Sequence, residues 1–393
     1  MSTLGAMVLL AGALVGLPLT WNAAKPVGDP TRRYSPMWLP AMVVAELAPL
    51  VLLIHVAVLS LGVAMGGADL AVGRFGRAVL VASALLLVWA IVRGWIGVWR
   101  LRRRVVGGVP RGRGRALLTG VPITTPDGVD EHHRVDRPGA RPVDVIRASS
   151  VRSERPERLF VYVHGGGWTG GEPQRQARDL YHALALDGWV VASVRYPFTP
   201  KVSVEHQIET IRDAVRWARA EFLGGPATAS TVVIGGGSAG GHLAAMAALT
   251  ATDEAEQVDA CVGIYGVYDM ANRNRMRAHW HKIRDEVMLE TVDDAGDRYR
   301  AVSPLDRIHD ESPPMLLVHG THDTLVPIGE GQQFADALRA AGRSVELVPV
   351  YGAQHAFDAV SSITSRTAAA VIRDWLRSTV LVGSYASEDR SGS

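Results

Sequence analysis

Residues Thr231-Val232-Val233-Ile234-Gly235-Gly236-Gly237-Ser238-Ala239-Gly240-Gly241-His242 constrain this chain more than any other stretch. A β-branched apolar run enters it, glycines crowd one serine, and Leu243-Ala244-Ala245-Met246-Ala247-Ala248-Leu249 leaves as a helix former. Strand, sharp turn and helix around Gly236-x-Ser238-x-Gly240 is the setting that a nucleophile elbow requires. The reason is steric. A serine held at positive φ needs neighbours without Cβ atoms, and the turn lifts its Oγ clear of the backbone at a helix N-terminus.

The chain has 393 residues, enough for more than one folding unit, and its charge is unevenly spread. Residues 1–120 carry 13 basic against 3 acidic side chains, while the other 273 carry 28 against 36. A basic, apolar first third joined to an acidic remainder implies two environments. The single cysteine, Cys261, excludes an intramolecular disulfide framework and falls in an apolar run, where it reads as an inert buried thiol.

Three apolar stretches, at about 4–20, 47–66 and 78–97, have the length of bilayer-crossing helices, the third on condition that Arg93 snorkels. Arg100, Arg102, Arg103 and Arg104 follow the third at once, with Arg111, Arg113 and Arg115 soon after. The positive-inside rule puts that end in the cytoplasm. Three uncleaved spans then place the Lys25/Arg32/Arg33 loop inside as well, with the N-terminus outside. A signal peptide is the alternative for the first stretch, but a basic leading region is missing. Glu46 and His55 are ionisable residues in or beside the second span, and their role stays open. Gly12-x-x-x-Gly16 is common by chance in apolar runs and carries no weight here. Beside a span, the arginine cluster reads as a topology and lipid-headgroup feature, not a nucleic-acid patch.

A Gly/Pro/Arg-rich lead-in at 105–139 marks a boundary before a domain at 140–378, and 379–393 reads as a disordered polar tail. Strands are expected at 143–146, 159–163, 189–194, in the β-branched run that enters the turn at Ser238, and at 258–265, 315–318 and 345–350. Helices are expected at 175–187, 204–222, 331–341 and 368–376, with an irregular His- and Arg-rich insertion at 269–300. Alternating strands and helices mean a mostly parallel, doubly wound α/β sheet covered on both faces. Such sheets bind ligands beyond the carboxyl ends of their strands. Four unusual loops fall at that rim: 165–167, the turn at Ser238, 319–327 and 352–357.

A serine hydroxyl is a weak nucleophile until a base takes its proton, and the base needs a carboxylate to fix its tautomer. His355, after a late strand and Gly352, is the expected base. Asp323 is the expected acid, with Asp269 in reserve and Asp358 too close in sequence to the histidine. Ser238, Asp323, His355 is the chain order of the α/β-hydrolases. Gly165, Gly166 and Ala239 are the expected oxyanion donors, because glycines let N–H groups approach a tetrahedral intermediate. Trp168 reads as a wall of the substrate pocket, His164 as a pin for the glycine loop and His242 as a structural contact. Glu131-His132-His133 and His279-Trp280-His281 lack metal-ligand spacing, so no metal is expected.

His164-Gly165-Gly166-Gly167-Trp168, Gly236-Gly237-Ser238-Ala239-Gly240-Gly241, Asp323 and His355 together resemble the hormone-sensitive-lipase-like carboxylesterases. The Gly-Gly-Ser-Ala-Gly-Gly-His version is also similar to bacterial feruloyl/acetyl esterases and kynurenine formamidase. The resemblance covers roughly 140–378. It departs at Gly237, where the hormone-sensitive-lipase group has an acidic residue. It implies an α/β-hydrolase fold, no cofactor, and hydrolysis of carboxylic esters through an acyl-enzyme. The expected partners are therefore a small-molecule or lipid ester and the lipid bilayer, with no nucleic acid; the oligomeric state is not legible. A formamidase or amidase, a prenylcysteine-methylesterase-like enzyme and a catalytically silent scaffold are the rivals.

Overall fold

The computed structural model describes residues 1–26, 36–106, 125–137, 139–152, 158–224, 230–278 and 280–381. The basic residues expected at 32–33 and 111–115, His279 and the tail beyond 381 lie outside them.

Eight strands form one sheet: β1 (Val129–Val135), β2 (Val143–Ala148), β3 (Arg158–Val163), β4 (Val190–Val194), β5 (Thr231–Gly237), β6 (Ala260–Ile264), β7 (Met315–Gly320) and β8 (Val345–Val350). Their spatial order is β1-β2-β4-β3-β5-β6-β7-β8. β1 and β2 pair antiparallel, as do β2 and β4, and every later pair is parallel. Side chains alternate across the pleat. Leu159, Val161 and Val163 of β3 join one buried layer, and Phe160 and Tyr162 join the other. The first layer is covered by helices at Val204–Ala218, Ala239–Leu249 and Gly329–Ala340, the second by helices at Arg178–Ala185 and Ile363–Leu376. Val204, Ile208, Ile211, Val215 and Ala218 are all buried, as their helical spacing requires. This is the α/β-hydrolase fold.

The sequence reading missed β1. Its residues, Val-Asp-Glu-His-His-Arg-Val, are polar because it is an edge strand with a largely exposed middle. Glu131, which stood next to two histidines as a weak metal candidate, instead pairs with Arg178 Nη2 at 2.8 Å and His182 Nε2 at 2.5 Å. Burial would raise this carboxyl, but those partners outweigh it and hold it down to about 2.

Ahead of the sheet come α1 (Ser2–Ala24), α2 (Trp38–Glu46), α3 (Ala48–Ala64) and α4 (Ala71–Arg102). With these and the five covering helices numbered in chain order, α5 is Arg178–Ala185, α6 Val204–Ala218, α7 Ala239–Leu249, α8 the insertion helix Val292–Ala301, α9 Gly329–Ala340 and α10 Ile363–Leu376. α1 and α4 are each long and apolar enough to cross a membrane. The second expected span, 47–66, is the single helix α3, with the unexpected α2 ahead of it. α2 and α3 meet at Leu47 with a bend of 86°, and Pro49 sits in the first turn of α3. Proline has no N–H to donate and is best accommodated where a helix begins, which suits a fresh start of α3 there.

α1, α3 and α4 pack against one another through a small polar knot. Ser83 Oγ lies 2.8 Å from Thr20 Oγ1 and 2.9 Å from His55 Nε2, and His55 Nδ1 is 2.8 Å from Val51 O. Gly16 leaves the space that the His55 ring fills, so this glycine does sit at a helix crossing. Arg93, half-buried, reaches across to the end of α1. Its guanidinium donates to the carbonyls of Ala23 and Ala24, which the end of α1 leaves without helical partners.

At 32 residues α4 is about 48 Å long, well beyond the roughly 30 Å apolar layer of a bilayer. Its surplus length docks on the sheet domain. Gly97 lies against the Tyr351 carbonyl, Arg100 stacks over the Tyr351 ring at 4.4 Å, and Leu101 enters the core layer containing Trp375 and Leu376. Just past the helix, the Val106 N–H donates to Asp374 Oδ2 at 2.7 Å. The boundary expected near 105 thus falls inside a packed joint. Leu101 is 2% exposed, so Leu101→Ala is expected to cost about 2–5 kcal/mol. Thermal unfolding of the detergent-solubilised full chain should register a lowered midpoint; an unchanged midpoint would mean the joint contributes nothing.

Candidate active site

β5 delivers its last residue into a turn that only a glycine-rich sequence can make. Ser238 has φ 55° and ψ −121° and stands at the N-cap of α7. A Cβ on Gly240 would lie 2.0 Å from the Val163 carbonyl, and one on Gly236 would lie 2.4 Å from the Gly240 carbonyl. The absent side chains let α7 pass directly over the end of β3. The Ser238 N–H donates to Ile264 O at 2.9 Å, which fixes the turn to β6.

His355 follows β8 and Asp323 follows β7, so both come from the rim that β5 reaches. His355 Nε2 is 3.0 Å from Ser238 Oγ, and His355 Nδ1 is 2.7 Å from Asp323 Oδ2. A carboxylate at Nδ1 keeps the proton there and leaves Nε2 as the acceptor facing the serine. Asp323 is itself anchored: its Oδ1 accepts the N–H groups of Leu325 at 2.9 Å and Val326 at 2.8 Å. Burial would raise this carboxyl, but the His355 charge and hydrogen bonds from His319 and His355 hold it down to about 2. Gln354 ties the two loops together, its Oε1 accepting from Thr324 N at 2.8 Å and His355 N at 2.9 Å. The other two carboxylates are engaged elsewhere. Asp269 caps its own turn through Ala271 N and Arg273 N, and Asp358 accepts from the Tyr265 hydroxyl.

The glycine loop after β3 lies beside the serine. Gly166 has φ 141° and Gly167 φ 61°, backbone that a side chain would strain. The Gly165 N–H donates to Gln176 Oε1 at 2.8 Å, so it is engaged by the protein and not free as the sequence suggested. Gly166 and Ala239 N–H have no acceptor among the described residues. For Ala239 this follows from its place at the start of a helix. Trp168 Nε1 donates to His242 Nδ1 at 3.0 Å, and His242 Nε2 donates to Val302 O at 2.7 Å. Burial pushes His242 down to about 4, so it works as a neutral relay that orients the Trp168 ring. His164 stacks on Tyr196 at 4.5 Å and is likewise held down to about 4 by burial.

A cavity of about 410 Å³ opens above the serine, with Gly166, Trp168, Ser238, Tyr265, His355 and Trp38 among its lining. The sequence reading did not identify Tyr265 or Trp38 as site residues. Tyr265 directly follows β6, so the strand-end rule that flagged the other loops would have found it. No periodicity or motif marks Trp38. Among the described residues no cluster of three or more His, Cys, Asp or Glu is arranged to hold a metal ion. Cys261 is buried, its thiol pushed up to about 12.

The Tyr265 ring lies 4.8 Å from the His355 ring, and Asp358 sits behind it. Burial pushes Asp358 up to about 6, with the Tyr265 hydrogen bond opposing. Between about pH 4 and 6 the folded chain holds a proton that the unfolded chain has released. Stability should therefore fall as pH rises through that window and level off above it. Asp358→Asn stays neutral throughout. It is expected to flatten this part of the melting-temperature profile relative to wild type, and identical slopes would refute the assignment.

The profile of the BD-FAE family matches residues 144–338. Esterase LipQ of Mycobacterium tuberculosis is 33% identical over 256 residues, covering 61% of this chain and 60% of the relative. Esterase LipC of the same organism is 34% identical over 232 residues, covering 56% and 57%. The chain thus spans less than two thirds of the length of these curated relatives. Among solved structures, the butyrate-bound thermophilic esterase of the Planctomycetes species Thermogutta terrifontis superposes with a TM-score of 0.51 at 25% identity, over 64% of this chain and 94% of that one. Taken with the sheet order and the turn at Ser238, these matches make residues 144–338 a BD-FAE domain, of the feruloyl-esterase-like branch of the α/β-hydrolases.

Proposed function

We propose that this chain is a membrane-anchored serine carboxylesterase or lipase that hydrolyses lipophilic acyl esters through an acyl-enzyme. One observation carries the reading: a serine at positive φ heads a helix 3.0 Å from an imidazole whose other nitrogen lies 2.7 Å from a buried carboxylate. His355 Nε2 takes the Ser238 proton as Oγ attacks the acyl carbon. The resulting oxyanion rests near the N–H groups of Gly166 and Ala239, with Gly165 able to join only if Gln176 lets go. The C–O bond to the alcohol then breaks, and the alcohol leaves with the proton from His355. Water attacks the acyl-enzyme with His355 again as base, and the acid departs. Asp323 holds the imidazole in the required tautomer and balances its charge while it is protonated. The names of the mycobacterial relatives and of the Thermogutta structure agree with this chemistry.

In this reading residues 1–104 are the membrane unit and 140–378 the catalytic one. α1, α3 and α4 cross the bilayer. The Lys25 end of α1 and the Arg100–Arg104 end of α4 share one side, which the positive-inside rule makes cytoplasmic. A catalytic domain on that face of the plasma membrane meets esters that the bilayer has concentrated.

Hydrolysis of p-nitrophenyl esters from acetate to palmitate is expected to vanish in Ser238→Ala and to fall on the order of 10⁴-fold in Asp323→Asn. Equal rates in wild type and Ser238→Ala would refute the mechanism, and faster turnover of an arylformamide than of any ester would make the enzyme an amidase. A reporter fused after Ser393 that works only in the cytoplasm is the expected topology result; activity only outside would reverse the orientation.

A further inference from the structure

Helix α2 belongs to the membrane unit by sequence, yet both its ends rest on the catalytic domain. At the start, the Trp38 ring meets the His355 ring edge-on, with centroids 5.5 Å apart and an interplanar angle of 88°. At the end, the Glu46 carboxyl lies beside Ser362 and Thr364, where α10 begins. The flanking membrane helices hold α2 in this place. Asn22 Nδ2 of α1 donates to Met37 O at 2.7 Å, and the 86° bend at Leu47 turns the chain back into α3.

The turn at Met37–Trp38 has a cavity on each side. Trp38 lines the cavity above Ser238. Met37 borders a separate open crevice of about 400 Å³ along α1, whose other walls are Leu17, Pro18, Trp21 and Asn22. Trp21 is 49% exposed on the apolar surface of a helix long enough to cross a membrane. One turn of chain therefore separates an apolar crevice on a membrane helix from the serine. Passing an acyl chain through water is unfavourable by roughly fourfold per methylene. A route along α1 and past Trp38 keeps the chain against apolar surface instead.

We propose that Trp38 is a specificity-determining residue: it forms the bilayer-side wall of the substrate cavity, contacts the acyl chain of a membrane-resident ester arriving along α1, and so favours long chains over short ones. This rests on the esterase reading above.

The test uses the full-length protein in phosphatidylcholine vesicles and measures kcat and KM on p-nitrophenyl decanoate and acetate. In Trp38→Ala the decanoate-to-acetate ratio of kcat/KM is expected to fall at least tenfold. Trp38→Phe, which keeps an aromatic wall, should fall much less and serves alone if the alanine variant does not fold. An equal loss on both esters would reduce Trp38 to a support for His355 and overturn the proposal, as would an unchanged or raised ratio. Failure of the esterase reading is told apart from these, because wild type itself would then show no Ser238-dependent hydrolysis of either ester.

Discussion

Everything at the site depends on how closely the first turn of α7 passes over the end of β3. The carbonyls of Val163 and His164 occupy the space where a side chain on Gly240 would stand, and Gly236 is walled in by Gly240. Only backbone fits between backbone there. That closeness forces Ser238 into a conformation a non-glycine residue rarely adopts, and the surrounding sheet is what holds it there. The same closeness sets the glycine loop at 165–166 beside Ser238 at the cavity edge. A single steric constraint thus sets both where the hydroxyl points and which N–H groups stand beside it.

Around that turn the protein sorts its histidines by their neighbours. His355 has a buried carboxylate at one nitrogen and the serine at the other. His242 and His164 are enclosed without an ionised partner, so burial keeps them neutral and each serves to orient a ring or a loop. Chemically identical side chains take different roles because one is given a counter-charge and the others are not. Gln354 adds a mechanical tie, since one amide oxygen bonds the acid loop and the base loop together.

The apolar helical bundle and the sheet domain meet as a continuous packed joint. α4 runs from the apolar bundle into the catalytic core, where Leu101 shares a layer with residues of α10. Arg93 occupies the junction, where its guanidinium caps the end of α1. α2 bridges the same junction from Trp38 to Glu46. An arginine that reads as an awkward interruption of a span is a connector between two helices.

Taken alone, the amino-acid sequence determined the sheet, most of its strands, and the rim on which Ser238, Asp323 and His355 fall. Those features are local: β-branched runs, glycine turns and the rule that ligands bind beyond strand ends. It misjudged features whose cause is a distant neighbour. β1 looks like polar loop because an edge strand needs no apolar pattern. Gly165 looked like a free donor because Gln176 lies eleven positions away with nothing to mark it. That Trp38 should face His355 was decided by tertiary structure alone, because it depends on how three apolar helices stack and where the last of them enters the catalytic core. Packing of that kind is set by shape complementarity among many side chains, and a linear pattern of apolar residues does not encode it.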